Sequence, residues 1–174
     1  MASFMDKIRE ATSVSNDVIP PVVAGWREWI SLPELGVDWV KAKVDTGARS
    51  SAIHARDVTV LRRGTIDVAS FELHPWQGSE LDAMRVELPI VDRRIVRSST
   101  GHEEERLVVA TTIRLVGLDI EAELTLTNRD EMGFRMLVGR EALRGRCLVD
   151  PGRSYLGPRP SRAVRRRNRA AVPD

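Results

Sequence analysis

The sequence has little cysteine, few aromatic residues and no long apolar run. Its single cysteine, Cys147, excludes an intrachain disulfide framework and a zinc module built from several cysteines, and it is typical of a reducing compartment. No apolar stretch approaches the roughly 20 residues that cross a bilayer, and acids interrupt the N-terminus where a signal peptide is apolar. We therefore expect a cytoplasmic protein that does not bind membranes.

Lysine is also scarce, with three residues, and the formal net charge of the 174 residues is only +2. This near-neutral total argues against a dedicated nucleic-acid-binding protein. The charge is uneven, because residues 158–174 contain six arginines and one acid. We expect an N-terminal arm over residues 1–21, one compact domain over residues 22–157, and a disordered basic tail over residues 158–174. The tail either attracts nucleic acid weakly or is simply solvated.

Short segments of alternating apolar and polar residues, separated by glycine and proline turns, begin at Val22. They predict strands over residues 22–30, 39–44, 67–73, 84–91, 106–115, 118–126 and 136–138. After the arm, only residues 140–144 have a helical pattern, which ends at Gly145. Repeated short strands of this kind predict a mainly β, mostly antiparallel domain, either a small barrel or a sandwich.

A carboxylate stands at the end of the second predicted strand, where Asp45 is followed by Thr46, Gly47 and Ala48. A strand end is rigid and glycine permits a tight turn, so the Asp45 carboxylate can be held where the backbone approaches a ligand. The same residues are also ordinary turn chemistry, because aspartate often accepts hydrogen bonds from its own backbone.

A second motif follows in residues 136–140, where an apolar strand leads into Gly139 and Arg140. Alone it is typical of a core strand that precedes a helix. Together, the two motifs resemble those of the retropepsin-like aspartic proteases, whose subunits carry a strand ending in D-T-G-A and, later, two apolar residues followed by glycine and often arginine.

The resemblance is closest to the bacterial and archaeal retropepsin-like proteins long labelled "ATP-dependent zinc proteases", and it covers about residues 22–157. The segments that carry it are VDTGARSSAIHA (44–55), RSSTGHEEER (97–106), LTNRDEMGFRMLVGR (126–140) and VDPGRSYL (149–156). It implies a closed β-barrel subunit with one short helix after the second motif. It also implies that Asp45, Thr46 and Gly47 are the catalytic triplet.

Neither half of that old label is supported by the residues present. None of the three lysines follows a glycine, so the chain lacks a phosphate-binding G-x-x-x-x-G-K-[ST] loop. A zincin motif fails at Arg106, which stands where the second histidine would follow His102. We expect no cofactor and no metal. A metallopeptidase remains an alternative only if His54, His74 and His102 meet in space.

The chain carries one D-T-G motif, whereas an aspartic protease needs two carboxylates that share one proton. We therefore expect a twofold-symmetric homodimer with Asp45 of each subunit at the axis. By resemblance, Thr46 braces the pair. The expected activity is that of an aspartic endopeptidase, a protease of the hydrolase class.

Substrate recognition is predicted from Arg49, which replaces an acid that follows D-T-G-A in retroviral relatives. Arg49 and Arg140, with Ala48 and Gly139, would form a positive wall suited to an anionic ligand. The resemblance implies partners of ATP-grasp glutamate ligases that remove glutamate tails from a ribosomal protein, so we expect an acidic peptide or protein substrate. The alternative is that Arg49 pairs with Glu141 or another acid.

A hairpin around residues 98–102 is the candidate flap over the substrate, with small residues that include Ser99 and with Gly101 at its tip. A plain exposed turn is the alternative. The rival to the whole enzymatic interpretation is a non-catalytic binding module on the same fold, which would hold an acidic protein or nucleic acid.

Overall fold

The structure, a computed structural model, describes residues 20–97, 101 and 103–170. Ten strands are formed by these residues: β1 Val22–Gly25, β2 Arg27–Leu32, β3 Val37–Asp45, β4 Ser51–Arg63, β5 Ile66–Leu73, β6 Met84–Arg97, β7 Glu103–Leu115, β8 Leu118–Thr127, β9 Met136–Gly139 and β10 Cys147–Asp150. A 3-10 turn, Pro33–Leu35, links β2 to β3. The helices are α1, Arg140–Leu143, and α2, Arg162–Ala170. No helix in this part of the chain is long and apolar enough to cross a membrane.

Eight of these strands form one sheet in the order β2-β3-β9-β4-β5-β6-β7-β8, and β1 pairs with β10 in a separate parallel pair. Two further pairings, β2 with β7 and β4 with β8, join strands that lie far apart in that order. The prediction of a mainly β domain is confirmed, and the short helix after the second motif is α1. The closed barrel stays a prediction.

Alternation along β3 sends its two sets of side chains to opposite faces. Val40, Ala42 and Val44 are buried in the core, at 0%, 0% and 5% exposure. Because successive side chains of a strand point to opposite faces, Lys43 and Asp45 lie on the outer face. The core residues thus hold the strand in register while its end presents the aspartate.

Strand β9 is inserted between β3 and β4. It runs parallel to β3, with Ala42 opposite Met136 and Asp45 opposite Gly139. On its other side it is antiparallel to β4, where Ile53 lies opposite Met136. Met136 is fully buried, so a well-packed strand carries Gly139 to the D-T-G-A loop.

The expected disordered tail differs from the structure over its described residues, because α2 is helical and docked on the domain. Asn168 is only 2% exposed, and its Oδ1 accepts a hydrogen bond from Ser79 Oγ at 3.2 Å. Arg167 forms an ion pair with Asp82. A low apolar content predicted disorder, but Asn168 packs through a buried polar contact that composition cannot reveal.

Candidate active site

The backbone of the turn that follows Asp45 orients the Asp45 carboxylate. Its Oδ1 accepts hydrogen bonds from the backbone N–H groups of Gly47 at 3.0 Å and Ala48 at 3.2 Å. A Cβ on Gly47 would lie 3.2 Å from the same oxygen, a tight contact that would require the carboxylate to shift. Because Asp45 remains 25% exposed, the carboxylate is oriented by the backbone while staying accessible to a ligand.

The loop that follows Asp45 is bound to the second motif through the backbone. The N–H of Arg140 donates to the carbonyl of Ala48 at 2.9 Å, and the N–H of Glu141 donates to the carbonyl of Arg49 at 3.2 Å. These carbonyls therefore bond to N–H groups of the first turn of α1. The two predicted motifs form one unit, although the strands β4 to β8 separate them in sequence.

Gly139 permits this contact by its lack of a side chain. A Cβ at this position would lie 2.5 Å from the Ser50 carbonyl oxygen and 2.8 Å from that of Arg49. The N–H of Gly139 donates a hydrogen bond to Ser51 Oγ at 3.0 Å within this contact. Glycine is required here because two backbones approach each other closely, and not because the residue has an unusual dihedral angle.

Lys43 is a site residue that our sequence analysis missed. Its Nζ lies 3.0 Å from Asp45 Oδ2. Burial raises the pKa of Asp45, but Lys43 and the N–H groups of Gly47 and Ala48 together outweigh burial and hold that pKa below its usual value. The signal was available, because residues two apart in a strand share a face.

Asp45 lines a cavity of about 1270 Å³ whose walls are strongly basic. Six cationic side chains line it: Lys43, Arg49, Arg94, Arg97, Arg106 and Arg129. Two acids, Asp45 and Asp92, also line it, and glutamates outside the lining pair with Arg49, Arg94, Arg97 and Arg106. This cavity combines one oriented carboxylate with an excess of positive charge, as a site for an acidic ligand requires.

A family model described as retropepsin-like aspartic endopeptidase RimB matches residues 23–160. The chain belongs to this RimB-like family.

Curated relatives of this RimB-like chain carry a different name. Proteins named probable alpha-L-glutamate ligase match it at 50% identity over 133 residues in Shewanella pealeana and at 42% over 138 residues in Desulfotalea psychrophila. The matches cover 76% and 79% of this chain but only 29% and 30% of those relatives. The chain therefore spans less than a third of their length.

A solved structure supports the fold alone. Lpg0085 of Legionella pneumophila, described as a protein of unknown function, superposes with a TM-score of 0.64 at 24% identity. The match covers 78% of this RimB-like chain and 97% of that one.

The predicted positive wall of Arg49 and Arg140 takes a different form in the structure. Arg49 lines the cavity, but its Nε donates to Glu141 Oε1 at 2.7 Å, which is the alternative that the sequence left open. Arg140 Nη1 reaches the Gly47 carbonyl at 3.4 Å, and Arg140 is not among the residues that line the cavity. Most of the positive charge comes from other arginines.

The candidate flap lies at the turn between β6 and β7, which pair antiparallel with Arg97 opposite Glu103. Gly101 has a φ of +85°, a left-handed conformation that favours glycine. Ser99 and His102 lie outside the described residues. The end of β6 lines the cavity through Ile95 and its neighbours, so the hairpin borders the same space as Asp45.

Two of the three histidines, His54 and His74, are buried and lie close to each other. The rings of His54 and His74 are 5.9 Å apart and meet edge to face. Nδ1 of His54 accepts a hydrogen bond from the N–H of Arg129 at 2.9 Å. Within the described ranges, no three His, Cys, Asp or Glu side chains form a cluster that could hold a metal ion.

Proposed function

We propose that the chain is an aspartic endopeptidase of cytoplasmic location whose catalytic dyad is formed by Asp45 of two identical subunits. The supporting observation is the pairing of Asp45 with Gly139, which places an oriented, accessible carboxylate in a large cavity. Thr46 and Gly47 complete the triplet. The closed retropepsin-like barrel is part of this proposal, and the β2 to β7 pairing supports it.

The charge state of one subunit supports the proposed dimer. Lys43 and two backbone N–H groups favour the ionised form of Asp45, so a single subunit supplies a base but no acid. A second Asp45 close by would raise one pKa of the pair, because two adjacent carboxylates cannot both ionise easily. One carboxyl group would then be protonated while the other remains ionised.

Such a dyad would hydrolyse a peptide bond by transferring protons between its two carboxyl groups and the reacting atoms. The ionised carboxylate takes a proton from water as the oxygen attacks the scissile carbonyl carbon, and the protonated carboxyl donates to the carbonyl oxygen. The carboxyl group that took the proton from water then passes it to the amide nitrogen as the carbon–nitrogen bond breaks and the amine leaves. A hydroxyl of the diol intermediate returns its proton to the other carboxylate, which leaves the carboxylic acid product and restores the dyad. No metal or cofactor takes part in this scheme.

An acidic peptide or protein is the proposed substrate, since cations outnumber acids among the residues that line the cavity. Arg49 is 76% exposed, and surface pairs such as Arg49 with Glu141 contribute only about 0 to 1 kcal/mol. A substrate carboxylate can therefore replace Glu141, with Ala48, Gly139 and Arg140 holding the loop. A glutamate-tailed ribosomal protein fits this substrate class, and the glutamate ligase relatives suggest a functional partnership with such a ligase.

The flap is proposed from the same cavity. The hairpin that carries Ser99 and Gly101 would close over a bound peptide, because residues of β6 already border the cavity. Any contact of nucleic acid with the basic face of α2 would be weak and accessory.

The decisive experiment compares the wild type with Asp45→Asn on glutamate-rich and neutral peptides, with a chelator added to a parallel wild-type sample. We expect cleavage by the wild type with and without chelator, none by Asp45→Asn, and a dimer in sedimentation velocity. Loss of activity with chelator alone would contradict the dyad. Equal peptide binding by both proteins without any cleavage would instead favour the binding module.

A further inference from the structure

Arg129 stands out among the cavity arginines because it is buried. It follows β8 and is only 7% exposed, yet it lines the same cavity as Asp45. Its side-chain Nε donates to the Phe134 carbonyl at 3.1 Å, and its backbone N–H donates to Nδ1 of His54 at 2.9 Å. Both the backbone and the first part of the guanidinium are therefore held in place.

The charge of Arg129 has no carboxylate partner among the described residues, where no acidic oxygen lies within 4.0 Å of its guanidinium. Arg135 is a useful contrast, because it is also buried, at 3% exposure, and pairs with Asp130 at 2.7 Å. Most arginines on the strands are paired in the same way, for example Arg94 with Glu123. A buried, unpaired guanidinium is costly, and such groups are usually paired or bound to a ligand.

The electrostatic surroundings of Arg129 agree with this picture. Burial lowers its pKa, the positive charge of Arg106 lowers it further, and the negative charge of Asp45 opposes both. Arginine nevertheless stays protonated in proteins. The guanidinium thus carries a full charge close enough to Asp45 for the two groups to interact.

The terminal nitrogens of Arg129 are available for a ligand. Neither Nη1 nor Nη2 donates to a described residue, and neither is among the fully buried atoms that lack a partner. They are therefore accessible from the cavity, which Arg129 lines. Two parallel N–H groups of a guanidinium match the two oxygens of a carboxylate, which gives both strength and geometric selectivity.

We propose that Arg129 forms a carboxylate-binding subsite that selectively binds one acidic side chain of the peptide bound beside Asp45. This assignment rests on the proposed function for the identity of the bound peptide. It differs from the expectation for Arg49, because Arg49 is exposed and already paired with Glu141, whereas Arg129 is pre-positioned and unpaired. Selectivity for acidic residues would then come from the buried Arg129 and not from the exposed Arg49.

Cleavage of matched peptides tests this subsite. Peptides that differ only by glutamate or glutamine at one position are compared for the wild type, Arg129→Gln and Arg129→Lys. At one position the wild type should prefer glutamate by about 10-fold to 100-fold in kcat/KM, as expected for a hydrogen-bonded charge pair. Arg129→Gln should lose this preference and Arg129→Lys should keep part of it, because lysine retains charge without the bidentate geometry. Amidated and free C-terminal peptides distinguish a side-chain carboxylate from a terminal one.

Arg114→Gln is the control for loss of one positive charge, since Arg114 pairs with Asp119 outside the cavity. Thermal unfolding of each variant separates a folding defect from a change in selectivity. A purely structural role of Arg129 would lower cleavage of both peptides equally. An unchanged glutamate preference in a folded Arg129→Gln protein would overturn the assignment.

A binding measurement keeps the subsite testable without catalysis. Calorimetry compares binding of a hexaglutamate peptide to Asp45→Asn and to the double variant Asp45→Asn with Arg129→Gln. We expect about tenfold weaker binding by the double variant. If the wild type cleaves nothing while this difference holds, the proposed function fails and the subsite stands. Equal binding, or no binding by either protein, overturns the subsite.

Discussion

Asp45 lies directly opposite Gly139 in the parallel pair of β3 and β9, at the last position of both strands. One residue supplies the carboxylate and the other supplies the space into which the following loop folds. The N–H groups of Arg140 and Glu141 then bind the carbonyls of that loop. The position of the carboxylate therefore depends on a backbone contact between segments that are remote in sequence.

Substitution of Gly139 by alanine should damage this contact. The new Cβ would meet the Ser50 and Arg49 carbonyls at 2.5 and 2.8 Å, and these backbone atoms cannot move without moving the loop. We expect Gly139→Ala to lower the free energy of unfolding by about 1 to 3 kcal/mol, as overpacking does. Urea denaturation measures the change. Gly133→Ala is the control, because a Cβ there meets nothing within 4 Å, and equal losses in the two variants would rule out the close-approach explanation.

Removal of the Lys43 charge should raise the pKa of Asp45. Lys43 lowers this pKa because its charge and hydrogen bond stabilise the ionised carboxylate. Without Lys43, only the N–H groups of Gly47 and Ala48 oppose the effect of burial, which raises the pKa. We expect Lys43→Met to move the titration of the Asp45 carboxyl carbon, followed by NMR, to higher pH. In an active dimer, the acidic limb of the pH–rate profile should move in the same direction.

Lys41→Met serves as the matched control for Lys43→Met. Lys41 is the preceding residue on the same face of β3, but its Nζ lies over the Phe134 ring, 5.1 Å from the centroid. Its removal should leave the Asp45 titration nearly unchanged. Similar shifts in both variants would show that general surface charge, and not the 3.0 Å contact of Lys43, controls the Asp45 pKa.

His54 should make the stability of the fold depend on pH. Burial, reinforced by the charge of Arg135, lowers the pKa of His54 from 6.5 to about 4, although Asp130 opposes this. The unfolded chain therefore binds more protons between these pH values, so the free energy of unfolding should decrease as the pH falls from about 6.5 to about 4. This side chain is fully buried, and we expect a decrease of the order of 3 kcal/mol.

The variant that tests this dependence is His54→Asn, which keeps an acceptor for the N–H of Arg129. Its stability, measured by urea denaturation across the same pH range, should vary less than that of the wild type. Asp130 contributes mainly below this range, because its carboxyl titrates near the ordinary value of 3.8 in the unfolded chain, and hydrogen bonds from Arg56 and Arg135 lower its pKa further in the folded protein. A wild-type curve that stays flat across the range would contradict the prediction.

Docking of α2 should depend on Asn168. Its amide accepts from Ser79 Oγ and donates to the Val164 carbonyl, and the side chain is buried. We expect Asn168→Ala to lower the free energy of unfolding by about 1 to 3 kcal/mol and to speed tryptic cleavage within the tail. Arg166→Lys is the control, since Arg166 is exposed on the same helix and lysine keeps the tryptic site. Unchanged proteolysis of Asn168→Ala would argue against a docked helix.

Strands with one buried face were predictable from sequence, as β8 illustrates. Ile120, Ala122 and Leu124 alternate with exposed acids, and the structure buries these three residues. Strand β4 was not predicted. Its first five residues, 51–55, are all buried because β8 and β9 flank them, and its later residues are mostly exposed. A strand whose burial changes along its length carries no period-two signal.

Turn chemistry and strand ends are local properties, so the sequence by itself determined that Asp45 ends a strand and that a glycine at position 139 precedes a short helix. Only the tertiary structure decided which charges meet. Arg49 forms an ion pair with Glu141 and Lys43 forms one with Asp45, whereas Arg129 has no carboxylate partner among the described residues. Ion pairing depends on distances of a few ångströms between strands that are remote in sequence, and those distances cannot be calculated from composition.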